Sequence, residues 1–223
     1  MAKPVGDTYG GYRARLLERL RENRIEDLAV LRAFGVVPRH LFVPEALRHR
    51  AYDDAALPIG SGQTISQPTT QARYLEALAL TGRERVLEVG TGSGYQAALL
   101  AHLAAHVVSV ERVPALAAAA QAALAAAGVA DVAVMIGDGT LGWRPLAPFD
   151  AILVAAVAPA VPAPLLEQLA DGGRLIIPLQ QAGAGGQALV RIVRRGDEVA
   201  QERLGAVQFV PLIGRHGFGD GGG

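Results

Sequence analysis

Glu88, Glu111 and Asp138 each lie within or just after a short apolar run, and glycines at 90, 92 and 94 follow the first of them. Glu88 belongs to Arg85-Val-Leu-Glu-Val-Gly-Thr-Gly-Ser-Gly, Glu111 ends Val107-Val-Ser-Val-Glu, and Asp138 follows Val132-Ala-Val-Met-Ile in Gly137-Asp-Gly. Apolar, β-branched runs of this length read as strands buried in a parallel sheet. The carboxylates then fall along one edge of that sheet. Tyr95-Gln-Ala-Ala-Leu-Leu-Ala begins a helix directly after Gly94. A strand, a glycine turn and a helix let backbone approach a ligand closely and aim the first free N–H groups of the helix at it.

The spacing discriminates between ligands. A dinucleotide fingerprint is G-x-G-x-x-G, whereas here the glycines run G-x-G-x-G and position 95 is Tyr. Glu88 would repel a pyrophosphate, and Gly90 to Gly94 holds no Lys or Arg. Glu111 at the next strand tip suits the hydroxyls of a ribose. Acids at consecutive strand ends favour S-adenosylmethionine, whose sulfonium is cationic, over a phosphate-bearing nucleotide. A plain tight turn is the alternative reading of the glycines.

The 223 residues match one domain with a sizeable core. Lys plus Arg equals Asp plus Glu, 21 each, which argues for neither a nucleic-acid nor a membrane partner. There is no cysteine, which excludes disulfides and thiol chemistry. The start Met1-Ala-Lys-Pro-Val-Gly-Asp has no apolar signal core, and the longest uncharged apolar run, Ala151 to Leu166, carries prolines and is too short for a span. A monomer in the cytoplasm is the expectation.

Along the chain, residues 8–33 read as helical with a solvated Arg/Glu face. Residues 36–72 show no steady period, hold prolines, and carry Phe42, Tyr52, Leu57, Ile59 and Ile65, as a structured loop packed over the cleft would. A helix is expected from Pro68 to Leu80 and another from Pro114 to Ala127. Further strands are expected at Asp150-Ala-Ile-Leu-Val, at Arg174-Leu-Ile-Ile after an Asp171-Gly-Gly turn, and at Ala188–Val193 and Val199–Leu204. Pro164-Leu-Leu-Glu-Gln-Leu reads as a short helix and Val207–Ile213 as a final strand. The Gln180–Gly186 loop is expected to be flexible and residues 215–223 disordered. The fold class is α/β: an open, mostly parallel, doubly wound sheet with N-terminal helices and an antiparallel C-terminal edge. One domain divides into residues 8–80 and a sheet core at 81–214.

Arg39-His-Leu-Phe-Val-Pro, Leu57-Pro-Ile-Gly-Ser-Gly-Gln-Thr-Ile-Ser-Gln-Pro, Val86-Leu-Glu-Val-Gly-Thr-Gly-Ser-Gly-Tyr-Gln-Ala-Ala and Phe149-Asp-Ala-Ile-Leu-Val, with Gly172-Gly-Arg-Leu-Ile-Ile-Pro and Phe209-Val-Pro-Leu, together resemble the protein-L-isoaspartate (D-aspartate) O-methyltransferases. The likeness runs from about residue 12 to 214, and Gly62-Gln-Thr-Ile-Ser-Gln-Pro is its most specific block. It implies methyl transfer from S-adenosylmethionine to the free α-carboxylate of isoaspartyl residues, with D-aspartyl residues as a possible second acceptor. The resulting ester collapses to a succinimide that hydrolyses partly to normal aspartate. It also implies an active-site Ser66 flanked by Thr64 and Ile65. Glu88, Gly90, Thr91, Gly92, Ser93 and Gly94 would then face the methionine part. Glu111 with Arg112 would hold the ribose, and Asp138 with Gly139 the adenine. Ala155 departs from many relatives, which carry Thr there, and Thr69 from some, which carry His.

The chemistry fits these residues. A carboxylate acceptor has an intrinsic pKa near ~3.5 and needs no base, so positioning is what remains to be supplied. Ser66 equally suits an N-cap for the helix entered at Pro68. Val210 and Leu212 would pair with an extended peptide, or simply form a sheet strand. His102 and His106 have zinc-compatible spacing on a helix, but no further ligand is apparent, so no metal is expected. A relative modifying one dedicated peptide is the alternative function. A non-catalytic binding module and a nicotinamide dehydrogenase fit less well.

Overall fold

The computed structural model describes residues 8–182 and 186–219. Helices α1 (Gly10–Glu22) and α2 (Leu28–Val36) open the chain, followed by 3-10 turns at Arg39–Phe42 and Glu45–Arg50. A small hairpin, β1 (Leu57–Gly60) and β2 (Gln63–Ile65), leads into α3 (Pro68–Leu78). Then β3 (Arg85–Val89), α4 (Tyr95–Ala101), β4 (His106–Glu111), α5 (Pro114–Ala126), β5 (Val132–Ile136), β6 (Phe149–Val154), α6 (Ala163–Glu167), β7 (Leu169–Gln180), β8 (Gln187–Arg195) and β9 (Glu198–Val207) complete it.

The main sheet is seven-stranded, in the order β5-β4-β3-β6-β7-β8-β9. Strands β3 to β7 run parallel, and β8 and β9 add an antiparallel edge. The order reverses around β3, so loops after β3 and β6 diverge and leave a crevice at their carboxyl ends. Period-two alternation builds a core on each face of β3: Val86 packs with the face covered by α1 to α5, Leu87 and Val89 with the face carrying Leu165 of α6.

The expected helix over residues 8–33 is two helices. Arg24 adopts a left-handed φ of 64°, and Asp27 caps α2 by accepting the Ala29 and Val30 amides. The Glu76 carboxylate of α3 accepts the Glu26 and Asp27 amides at 2.7 Å, which holds the break from a distant part of the chain. The Asp171-Gly-Gly turn lies inside β7, which starts at Leu169, with the pairing register shifting between Phe149 and Ala151. The final strand expected at Val207–Ile213 is absent: β9 ends at Val207, and Pro211 makes only an isolated bridge with Val157. Residues 214–218 form a hydrogen-bonded turn instead of a disordered tail, because Arg215 N donates to Asp138 and Phe218 N to the Leu212 carbonyl. Residues 220–223, and 183–185 of the Gln180–Gly186 loop, lie outside the described residues. Among the described residues, no helix is long and apolar enough to cross a membrane.

Candidate active site

A cleft of about 860 Å³, mouth included, opens at the carboxyl ends of β3, β4 and β6, and its wall includes Thr64, Ile65, Ser66, Gly90, Thr91, Gly92 and Ser93. The glycine loop forms its floor. Gly90, Gly92 and Gly94 have φ of 94°, 52° and 84°, a region that side chains rarely adopt. At Gly94 the demand is double, since a Cβ would lie 3.1 Å from Ala120 Cβ and 3.3 Å from its backbone, where α4 crosses α5.

Glu111 lines this cleft from the tip of β4 and is buried. One carboxylate oxygen accepts the Gly92 amide at 2.9 Å, the other the Val113 amide at 2.9 Å. That arrangement sets the loop height and leaves further lone pairs for a ligand's hydroxyls. Arg112 is exposed on the rim, and Gly139 completes the far wall. A Cβ on Gly139 would fall 2.5 Å from Val89 Cγ1, so only glycine lets this wall close on β3.

Glu88 is fully buried beneath the loop. Its Oε2 accepts the Ser109 hydroxyl, which also bonds Thr91 Oγ1, while Oε1 has no partner. Burial, aided by repulsion from Glu111 and opposed by the Ser109 hydrogen bond, pushes the Glu88 carboxyl up to about 8. Glu88 is not among the residues of the cleft wall and is linked to the loop through Ser109 and Thr91.

Asp138 is not among the residues of the cleft wall. It accepts the Thr140 amide and hydroxyl at 2.9 and 2.7 Å, and the Arg215 amide at 2.8 Å. Those donors hold its carboxyl below its ordinary value against the opposing effect of burial. Its carboxylate ties the C-terminal turn down, while its neighbour Gly139 lines the cleft.

Ser66, Thr64, Ala155 and Val210 line this cleft and also a second one, whose remaining wall includes Gln67, Thr70, Arg73, Leu189, Ala206 and Phe209. Ser66 is not the cap of α3. The N-cap is Gln67, without a side-chain cap bond of its own, and Asp54 takes the role from across the loop by accepting the Thr69 amide and hydroxyl and the Gln67 amide nitrogen. Thr69 thus has a structural partner for its departure from the common pattern. From the other side, the buried Arg39 donates to the Ser66 carbonyl at 2.8 Å. Tyr74, whose hydroxyl is held above its ordinary pKa by burial, faces Ser66 and Gln71.

The peptide-pairing expectation divides between its two residues. The Leu212 amide donates to Val157 and its carbonyl accepts from Phe218, so its backbone is spent. The Val210 carbonyl accepts from Val157, and its side chain stays on the shared wall of both clefts. The zinc-type spacing of His102 and His106 dissolves, because α4 ends at Ala101 and His106 begins β4. Among the described residues no cluster could hold a metal ion.

Gln96 escaped the sequence reading. It sits in the first turn of α4, nearly buried, with both atoms of its amide unpartnered and its side chain on the cleft wall. Orphaned buried polar atoms are rare, and Gln96 belongs to the wall of a cleft sized for a nucleoside-bearing ligand. A residue after a glycine turn, one position inside a helix, was the available signal.

The family model for protein-L-isoaspartate (D-aspartate) O-methyltransferase matches residues 12–217. Protein-L-isoaspartate O-methyltransferase of Methanoculleus marisnigri is 52% identical over 200 residues, covering 90% of each chain. Protein-L-isoaspartate O-methyltransferase 2 of Marinobacter nauticus is 56% identical over 195 residues, covering 87% of this chain and 89% of the relative. Among solved structures, one described as a putative protein-L-isoaspartate O-methyltransferase from Plasmodium falciparum, in complex with S-adenosyl-L-homocysteine, superposes with a TM-score of 0.80 at 27% identity, covering 91% of this chain and 98% of that one. The glycine-floored cleft, the shared Ser66 wall and matches spanning nearly the whole chain agree: this protein belongs to the protein-L-isoaspartate (D-aspartate) O-methyltransferase family.

Proposed function

We propose that the glycine-floored cleft seats S-adenosylmethionine and that Ser66 orients the α-carboxylate of an L-isoaspartyl residue arriving through the second cleft, in a protein-repair methylation. The observation that carries this reading is the shared wall: Thr64, Ser66, Ala155 and Val210 belong to both clefts, so donor and acceptor meet at Ser66. S-adenosylmethionine supplies an already activated methyl group. The residues here do the rest by placement.

Glu111 holds the Gly92 loop and offers its remaining lone pairs to ribose hydroxyls, and Gln96 satisfies its amide on the methionine portion. Glu88 below the loop, its carboxyl raised to about 8, keeps its proton at neutral pH and braces the loop through Ser109 and Thr91. Ile65 closes the cleft with apolar surface and excludes water, while Ser66 and the adjoining backbone fix the acceptor's line of approach. The acceptor is ionised at neutral pH, so no residue has to remove a proton. The methyl ester formed on the substrate then closes to a succinimide without further help from the enzyme. We take the enzyme to be monomeric and cytoplasmic, with D-aspartyl residues as a second acceptor class.

The test pairs Ser66→Ala with labelled cofactor, an isoaspartyl peptide and its normal aspartyl twin, reading base-labile methanol. The parent should label only the isomerised peptide. Ser66→Ala should lose about 100-fold in turnover while keeping its melting temperature and its affinity for S-adenosylhomocysteine. Equal labelling of both peptides would sink the repair reading, and an active Ser66→Ala would sink the assignment of the site.

A further inference from the structure

Arg39 is fully buried, yet nothing in the methyl-transfer chemistry asks for a cation there. Its nitrogens reach separate parts of the fold. Nε donates to the Ala51 carbonyl at 2.8 Å, Nη1 to Gln71 Oε1 at 2.7 Å, and Nη2 to the Ser66 carbonyl at 2.8 Å. The guanidinium lies over the Tyr95 ring, 4.6 Å from its centroid. Every one of these hydrogen-bond acceptors is neutral. Burying a cation without a directly bonded carboxylate is unfavourable, and apolar residues often replace buried charges with no loss of stability. What an apolar residue cannot do is hold several acceptors in one plane, which the rigid fork of arginine does.

One of those acceptors belongs to the residue at which the two clefts meet. Asp54 grips the following residues, Gln67 and Thr69, so the segment is clamped on both sides of the Ser66–Gln67 peptide. Gln71 brings the first turn of α3 into the same grip and itself lines the donor cleft. We propose that Arg39 is a positioning residue for methyl transfer: its fork fixes the peptide plane after Ser66 and so aims the Ser66 hydroxyl at the junction of the clefts. Lysine would keep the charge and lose the fork. The donor cleft's glycine floor and Glu111 make no hydrogen bond to Arg39, so its replacement should weigh more on turnover than on cofactor affinity.

This inference rests on the role given to Ser66 above, and Ser66→Ala tests that role separately. The experiment compares Arg39→Lys, Arg39→Ala, Ser66→Ala and the Arg39→Lys/Ser66→Ala double variant, each with melting temperature, S-adenosylhomocysteine affinity, and kcat and KM for an isoaspartyl peptide. Arg39→Lys should lose about 100-fold in kcat, with S-adenosylhomocysteine affinity and peptide KM within about threefold. The double variant should be no slower than Ser66→Ala alone, because both changes act on one hydroxyl. Added guanidinium or ethylguanidinium should restore part of the kcat of Arg39→Ala. A kcat for Arg39→Lys within about threefold of the parent, losses that multiply in the double variant, parallel loss of cofactor affinity, or failure of both Arg39 variants to fold would each overturn the proposal. A fully active Ser66→Ala would remove the ground beneath it, independently of the Arg39 results.

Discussion

The Asp54 carboxylate accepts the Thr69 backbone amide at 2.8 Å through one oxygen and the Thr69 hydroxyl at 2.7 Å through the other. An irregular segment thus caps a helix that starts well after it, and the Ser66 hydroxyl is left free of that duty. Asp54→Ala should leave buried donors unpaired, lowering stability by about 1–3 kcal/mol, visible in a denaturant midpoint. Turnover of an isoaspartyl peptide should fall more steeply than the affinity for S-adenosylhomocysteine, since the clamped segment borders the acceptor side. An unchanged midpoint would show that the capping bonds contribute nothing.

Gln96 makes the opposite prediction for stability. Replacing an orphaned buried amide by an apolar group of similar shape removes a desolvation penalty. Gln96→Leu should therefore raise the melting temperature of the ligand-free protein and weaken S-adenosylhomocysteine binding about tenfold, read by calorimetry. Tighter binding in the variant would mean that the amide never meets the ligand.

Glu88 should imprint itself on the pH dependence of stability. Its carboxyl is raised to about 8 in the folded protein from an ordinary value of 4.5. Below 4.5 both folded and unfolded forms hold the proton, and Glu88 contributes no penalty. Between 4.5 and about 8 the unfolded chain releases the proton while the folded one keeps it, so stability falls as pH rises and levels off above the folded value. Glu88→Gln should remove that slope. Melting curves of the ligand-free proteins at pH values on either side of this window check it: the variant should gain on the parent at the alkaline end. Parallel curves would count against a protonated Glu88.

Gly94→Ala combines a left-handed φ of 84° with a Cβ pressed 3.3 Å from the Ala120 backbone. A strained, non-glycine left-handed residue costs on the order of 1–3 kcal/mol, and the α4–α5 crossing must open further to admit the methyl. A lowered melting temperature together with at least a tenfold loss of S-adenosylhomocysteine affinity is expected, because the first turn of α4 carries Gln96. Retained affinity with lowered stability would confine Gly94 to helix packing.

The block around Ser66 was readable only through its resemblance to a family. The glycine loop and the place of Glu111 at a strand tip were legible because local chemistry dictates them: a turn of left-handed glycines between a buried strand and a helix, and an acid at a strand tip, are constraints carried by neighbours in sequence. The alternating faces of β3 were legible for the same reason. The break at Arg24 was not, since it is held by Glu76 of another helix. Nor was the bond that Asp138 accepts from the Arg215 amide, which folds back from the C-terminal end.

By itself, then, the chain's order of residues determined the parallel sheet and the glycine-floored turn at its carboxyl edge, because periodicity and turn stereochemistry act over a few residues. The reaction was implied by family resemblance. Only the tertiary structure removed the capping role from Ser66, by bringing Asp54 in as the cap, and decided which residues Arg39 and Gln96 lie beside. Those choices depend on hydrogen bonds between residues far apart in sequence, whose partners are chosen by packing and leave no periodic trace.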